Sequence, residues 1–311
     1  MKVIFFGTPD FAAVCLAKII ESKHQVEAVV TGEDKQRGRG QKVSFTPVKE
    51  LALQKNIPLL QPKILRDKKF IEQLKIIDAD IFVVVAFKIL PECIFSIPPK
   101  GTFNLHGSLL PKYRGAAPIQ WALINGEKET GLTTFFIQKQ VDSGNIILQK
   151  TINIESEDNF GSLHDKMAEQ GGELIVETLN IIEAGNFLLK KQDENFVSLA
   201  PKIENSICHI DFEQNSEKIH NLVRGLSPYP GAYFKNAEKI YKVLKTKILS
   251  TIENENILTQ KQIELPKRLN LFLSKKNIYV KTVDGYIEIL EIQPEGKRRM
   301  TAEEFLRGNK F

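Results

Sequence analysis

The chain has 311 residues, 42% hydrophobic and 26% charged, with a formal net charge of +5 at pH 7. That length can hold two domains with separate cores, and the ordinary apolar and charged fractions exclude a disordered chain. The longest apolar run, residues 81–87, falls far short of the ~20 residues a membrane-spanning helix needs, so no membrane partner is expected.

In chain order, residues 2–6 read as a buried strand directly after Met1, rather than as a signal peptide. Gly7-Thr8-Pro9-Asp10 then leads into a helix over 11–22, with Asp10 as its N-cap. With one glycine and a proline, this turn makes a poor phosphate cradle, which argues against NAD or FAD. A second strand at 26–30 precedes a polar, Gly-containing loop over 31–46, and Pro47 suits the first turn of a helix ending at Gln54. Next come a short strand at 59–60, a helix at 68–75 and a continuous apolar strand at 81–86, of the kind a parallel sheet covers on both faces. A strand at 102–106, a helix at 117–125, strands at 131–138 and 145–154 and a long helix at 162–183 complete the pattern. This alternation predicts an α/β domain over 1–184: a doubly wound, mostly parallel, Rossmann-like sheet.

Residues 185–205, rich in Gly, Asn, Asp and Gln, read as a linker. A second domain is expected over 206–311. It opens with a helix at 216–226 and the turn cluster Ser227-Pro228-Tyr229-Pro230-Gly231. Short strands at 232–234, 240–250, 277–281 and 286–293 and a closing helix at 301–306 suggest a small OB-like β-barrel. The charge excess lies here: residues 1–200 carry 24 basic and 24 acidic side chains, residues 201–311 carry 19 and 14. A neutral body with a basic appendage points weakly to a polyanionic partner.

Cys15, Cys93 and Cys208 are odd in number and widely spaced, which suits reduced thiols in the cytoplasm rather than a disulfide framework or CxxC site. The five histidines have no zinc-binding spacing, so no metal is expected.

The chemistry concentrates in 103–118. Asn104 and His106 lie two apart on a strand, so both side chains point to one side. A neutral amide donor beside an imidazole can stabilise and protonate an oxyanion. Taken alone, His106 is more often a satisfied core histidine, and Asp142, in Val141-Asp142-Ser143-Gly144, a turn cap. Their shared place at strand ends, where open α/β sheets set their sites, favours catalysis.

Asn104-x-His106, Ser108-Leu109-Leu110-Pro111-x-Tyr113-Arg114-Gly115 and Val141-Asp142-Ser143-Gly144 together resemble the signature of the folate-dependent formyltransferases. Residues 5–11, 38–42, 114–120, 224–232, 296–300 and 305–308 extend the resemblance, along nearly the whole chain, to the branch that acts on methionyl-tRNA. Lys88 stands where that family often has glycine, and Gly32-Glu33 where it often has Gln-Pro.

The resemblance implies formyl transfer from 10-formyltetrahydrofolate, as co-substrate, to initiator methionyl-tRNA, by a monomer without a metal. It makes Asn104, His106 and Asp142 catalytic. It sets the folate against Phe87, Lys88, Ile89, Leu90, Ser108, Leu109, Leu110 and Pro111. It gives tRNA contacts to Lys35, Arg37, Arg39 and Lys42 in the 31–46 loop, and to Lys297, Arg298 and Arg299. Three rivals remain at this stage: a nucleotide-amino-sugar N-formyltransferase, a folate hydrolase with the same triad, and a non-catalytic RNA-binding module.

Overall fold

The computed structural model describes residues 1–37, 42–236, 238–251, 262–265, 269–274 and 276–308, with backbone only at 35–37, 42–43, 262–265 and 269–270. The chain divides into two compact units: residues 1–118, 130–153 and 164–201, and residues 119–129, 154–163 and 202–311.

From residue 1 to 201 the elements are β1 (Lys2–Gly7), α1 (Asp10–Ile20), β2 (Gln25–Val30), β3 (Lys35–Arg37), β4 (Lys42–Ser44), α2 (Pro47–Gln54), β5 (Leu59–Leu60), α3 (Lys68–Ile77) and β6 (Ile81–Val85). They continue with α4 (Glu92–Phe95), β7 (Thr102–His106), β8 (Arg114–Gly115), α5 (Pro118–Ile124), β9 (Glu129–Phe136), β10 (Ile146–Asn153), α6 (Phe160–Ala184) and β11 (Leu199–Ala200). The main sheet has the order β10-β9-β7-β6-β1-β2-β5. The pairs β5/β2, β2/β1, β1/β6 and β6/β7 are parallel, and β7/β9 is antiparallel. The mostly parallel sheet expected from the sequence is therefore present. Its central strands are covered on both faces, which is why Val3–Phe6 and Ile81–Val85 are apolar at every position and buried throughout.

Three local expectations need correction. Pro9, not Asp10, holds the N-cap position of α1 and makes no side-chain cap bond, so Asp10 acts instead as a first-turn acid facing the helix dipole. The 31–46 segment is not simply a loop, because β3 and β4 pair antiparallel with Lys35 opposite Ser44 and Arg37 opposite Lys42. The supposed linker is largely built into the first unit: Ile146 and Lys190 exchange backbone hydrogen bonds, and β11 pairs in parallel with β8. Its composition is loop-like, yet sheet edges satisfy its backbone.

The second unit contains α7 (Ser216–Leu226), β12 (Ala232–Asn236), β13 (Lys239–Leu249), β14 (Gln262–Leu265), β15 (Leu269–Leu273), β16 (Ile278–Lys281), β17 (Tyr286–Pro294), β18 (Met300–Thr301) and α8 (Ala302–Gly308). The order β12-β13-β17-β16-β15-β14, with β18 on β17, makes an antiparallel half-barrel. Register shifts at Val243–Lys245 and Lys245–Thr246 supply the irregularity that bends β13. The Asn215 side chain caps α7 by accepting from the Lys218 amide. The helix buries Ile219, Val223 and Leu226 in a core shared with Phe234, Tyr241, Ile287 and Phe305. Strands β14 and β15 were not anticipated. Among the described residues, no helix is long and apolar enough to cross a membrane.

Gly131 on β9 shows how tightly the first unit closes around the loop after β7. A Cβ there would lie 2.4 Å from Leu109 Cδ2 and 2.4 Å from the Lys150 carbonyl oxygen. Gly131→Ala should destabilise the protein by about 1–3 kcal/mol, as overpacking does. The readout is a lower urea midpoint, and an unchanged midpoint would contradict this packing.

Candidate active site

Strand β7 places Asn104 between Val84 and Phe135, and His106 opposite Thr133. The two residues share one face of the strand. Asn104 is partly exposed, and its side-chain amide makes no hydrogen bond to any described residue. His106 is 5% exposed, and its Nε2 lies 2.8 Å from the Tyr113 carbonyl oxygen. A carbonyl only accepts, so Nε2 must carry a proton and donate it. The ring's other nitrogen, Nδ1, faces Asp142, with Oδ2 at 3.9 Å. In the neutral ring Nδ1 is therefore the basic nitrogen.

The loop that fixes this geometry is tied at many points. Thr133 Oγ1 donates to the Ser108 carbonyl at 2.6 Å and accepts from Leu110 N at 3.1 Å and Gln149 Nε2 at 3.0 Å. Ser108 Oγ donates to the Lys112 carbonyl at 2.6 Å, and Tyr113 N donates to Ser198 Oγ at 2.9 Å. Tyr113 has φ +60° and Gly115 φ +130°. A side chain at 115 would meet the Ala200 carbonyl oxygen at 2.6 Å, so glycine is required there.

Asp142 sits in its turn at φ +52°, and its Oδ2 accepts from Gly115 N at 3.0 Å. The turn is held from behind by Gln192, a buried residue of the supposed linker that sequence reasoning missed. Gln192 Nε2 donates to the carbonyls of Asp142 and Gly144, both at 2.9 Å, and its Oε1 accepts from Arg114 Nε and Nη2 at 3.0 and 2.7 Å. Arg114 also forms a two-pronged pair with Glu194, at 3.1 and 2.8 Å. That guanidinium contact holds the Glu194 carboxyl below the usual carboxylate range. Arg114 belongs to the quoted motif, and a buried arginine demands partners. No sequence signal points to Gln192.

The other expected site residues divide by burial. Lys88 and Ile89 are exposed, Ile89 by 74%, while Leu90 lies in the core with Phe6 and Val84. Phe87 packs on the same cluster, its ring centroid 5.7 Å from that of Phe6. Ser108 is buried, Leu109 and Pro111 are partly exposed, and Leu110 packs with Phe135 and Ile146. Side chains at 90, 108 and 110 thus shape the loop rather than line an opening.

Lys35, Arg37 and Lys42 stand on the β3/β4 hairpin, and Arg39 lies outside the described residues. The hairpin's base is closed by Thr31 Oγ1 against Thr46 Oγ1 at 2.8 Å, and by Lys49, whose Nζ donates to Asp34 at 2.5 Å and to Gln61 at 3.0 Å. Those bonds from Lys49 and Gln61 hold the Asp34 carboxyl low. In the second unit Lys297, Arg298 and Arg299 are exposed, with Arg298 paired to Glu304 and Arg299 to Glu291. Among the described residues, no group of three or more His, Cys, Asp or Glu could hold a metal ion.

Comparison with known proteins adds independent findings. Residues 1–179 match the family described as Formyl transferase, and residues 202–310 match Formyl transferase, C-terminal domain. A protein of Clostridioides difficile strain 630 named methionyl-tRNA formyltransferase is 44% identical, over 99% of this chain and 97% of its own length. One of the same name from Flavobacterium johnsoniae is 42% identical, over 100% and 97%. Among solved structures, a sugar 3N-formyl transferase determined in the presence of dTDP and 5-N-formyl-THF superposes with a TM-score of 0.67 at 21% identity, covering 96% of this chain and 99% of that one.

Because Thr133 uses its hydroxyl hydrogen and accepts two bonds, Thr133→Val leaves two loop groups, the Ser108 carbonyl and the Leu110 amide, without this partner, along with one donor of Gln149 on β10. The expected loss is about 1–3 kcal/mol, the cost of buried groups left without partners. Urea unfolding should show it, and wild-type stability would mean the loop is held elsewhere.

Proposed function

The chain belongs to the methionyl-tRNA formyltransferase family, and we infer that it carries a formyl group from 10-formyltetrahydrofolate to the free α-amine of initiator methionyl-tRNA, in support of translation initiation. One observation carries the chemistry. The uncommitted Asn104 amide shares a strand face with an imidazole whose only uncommitted nitrogen looks toward a carboxylate.

In the transfer, the acceptor nitrogen bonds to the formyl carbon, and the carbonyl electron pair moves to oxygen. Asn104 donates to that oxyanion. An aligned donor of this kind is worth on the order of 3 kcal/mol of barrier. As the bond to N10 breaks, N10 gains a proton and the acceptor nitrogen loses one. His106 exchanges these protons at Nδ1, because Nε2 is held by the Tyr113 carbonyl. Asp142, 3.9 Å away, relays the acceptor's proton through water to Nδ1 and stabilises the imidazolium so formed. No covalent enzyme intermediate is needed.

The folate fits the 87–90 and 108–111 segments. A pterin has flat apolar faces and a hydrogen-bonding edge, and Ile89 offers exposed apolar surface within irregular backbone. Leu90 and Ser108 would contribute through their backbone amides and Leu110 by supporting its neighbours, since Thr133 and Gln149 take its N–H and carbonyl, while Phe87, Lys88, Leu109 and Pro111 are accessible in part or whole. Lys35, Arg37, Arg39 and Lys42, with Lys297, Arg298 and Arg299, supply the cations for tRNA phosphates. A sugar nucleotide needs no such set, which favours tRNA over the sugar reading. The three cysteines are unpaired, in keeping with a reducing cytoplasm, and a monomer suffices for this chemistry.

The decisive assay offers 10-formyltetrahydrofolate with charged initiator tRNA, charged elongator tRNA or an amino-sugar nucleotide. Formylation of the initiator methionyl amine is expected, with tRNA affinity falling steeply as salt rises. Folded Asn104→Ala should lose about 10²–10³ in kcat, as removal of an oxyanion donor does. Preferential formylation of the sugar nucleotide, or full turnover by Asn104→Ala, would overturn the reading.

A further inference from the structure

We propose that Gln192 is a positioning residue for formyl transfer, setting Asp142 against His106 from a segment whose sequence reads as a linker. This rests on the assignment of Asn104, His106 and Asp142 to the reaction.

The side chain is spent completely. It is 4% exposed, and its two amide hydrogens go to the carbonyls of Asp142 and Gly144. Both lone-pair directions of Oε1 are taken by Arg114. Glutamine is the uncharged residue of this length that can donate twice on one atom and accept twice on the other.

What it grips is informative. Residue 142 adopts φ +52°, a left-handed turn conformation that is uncommon outside glycine and that aspartate tolerates better than most residues. Two residues on, a Cβ at Gly144 would lie 1.7 Å from the Phe136 carbonyl oxygen, so the turn lies flush on the end of β9. Gln192 bonds the carbonyl on each side of Ser143 and thereby fixes the direction in which the Asp142 side chain leaves the backbone. Its other face holds Arg114, whose neighbour Gly115 donates to the Asp142 carboxylate. One amide thus joins the two segments that present Asp142 to His106 Nδ1.

Gln192 and Arg114 themselves take no part in the proton transfer. Their effect is on the 3.9 Å separation between Asp142 and His106. Small misplacements of a catalytic group are costly, to about 10²-fold for 1 Å.

The test is a double-mutant cycle on the full chain. Gln192→Glu keeps the size and the acceptors for Arg114, but turns an oxygen toward two carbonyls where a donor stood. Formylation kinetics are measured for wild type, Q192E, Asp142→Asn and the double variant. Q192E is expected to lower kcat about tenfold or more, with KM for the folate changed less than about threefold. In the D142N background, Q192E should then cause no further loss. The exposed-side control Glu194→Gln should stay within about twofold of wild type, since Gln192 keeps its carbonyl partners.

An equal fold-loss from Q192E in both backgrounds, or none in wild type, overturns the proposal while leaving the catalytic assignment intact. Wild-type turnover by D142N itself removes that assignment, and the proposal falls with it. Should Q192E fail to fold, judged by its urea transition, Gln192→Met enters the same cycle, and the same dependence on Asp142 decides.

Discussion

The geometry of this protein's site hangs on one hydrogen bond, from His106 Nε2 to the Tyr113 carbonyl. The acceptor has no proton to give, so the bond has one direction, and the direction fixes the tautomer of the ring. Nδ1 then faces Asp142. The carbonyl in turn must be held still, which accounts for the density of bonds around residues 108–115. Thr133, Ser198 and Gln149 each anchor a backbone group of that loop. Beneath it, close contacts at Gly115 and Gly131 leave little room for the loop to shift.

The two units differ in architecture. The first carries Asn104, His106 and Asp142 at or just beyond the ends of strands in a sheet whose central strands are buried on both faces. Its basic hairpin stands on a closed base, with Lys49 bridging Asp34 and Gln61. The second is an antiparallel half-barrel with an apolar cluster as its core. There Arg298 and Arg299 are already engaged with Glu304 and Glu291. Exposed pairs of this kind are weak and readily exchanged, so such cations remain usable by a polyanion.

Much of this was legible in the residues. Central parallel strands reveal themselves as unbroken apolar runs, and Asn104 with His106 follows from the two-residue period of a strand. The antiparallel half-barrel, expected as an OB-like barrel, was signalled by short strands at close spacing. What escaped notice depends on contacts distant in sequence. Gln192 sits among Lys, Asp, Glu and Asn, so its composition reads as solvated chain, and only the folded partners Arg114, Asp142 and Gly144 show otherwise. Leu90 and Leu110 look like ligand-facing apolar residues until the core clusters claim them. Residues 119–129 and 154–163 lie within the first two thirds of the chain yet cluster with the second unit, an interleaving that no local pattern encodes.

The central claim, that the loop after β7 dictates which nitrogen of His106 is free for proton transfer, can be read directly from nitrogen-15 NMR of the histidine side chains. With the full chain labelled, and the His106 signals assigned by comparison with His106→Gln, the neutral ring should show a protonated Nε2 and an unprotonated Nδ1. A neutral His106 carrying its proton on Nδ1 would contradict the account, because the Tyr113 carbonyl would then face a nitrogen with nothing to donate.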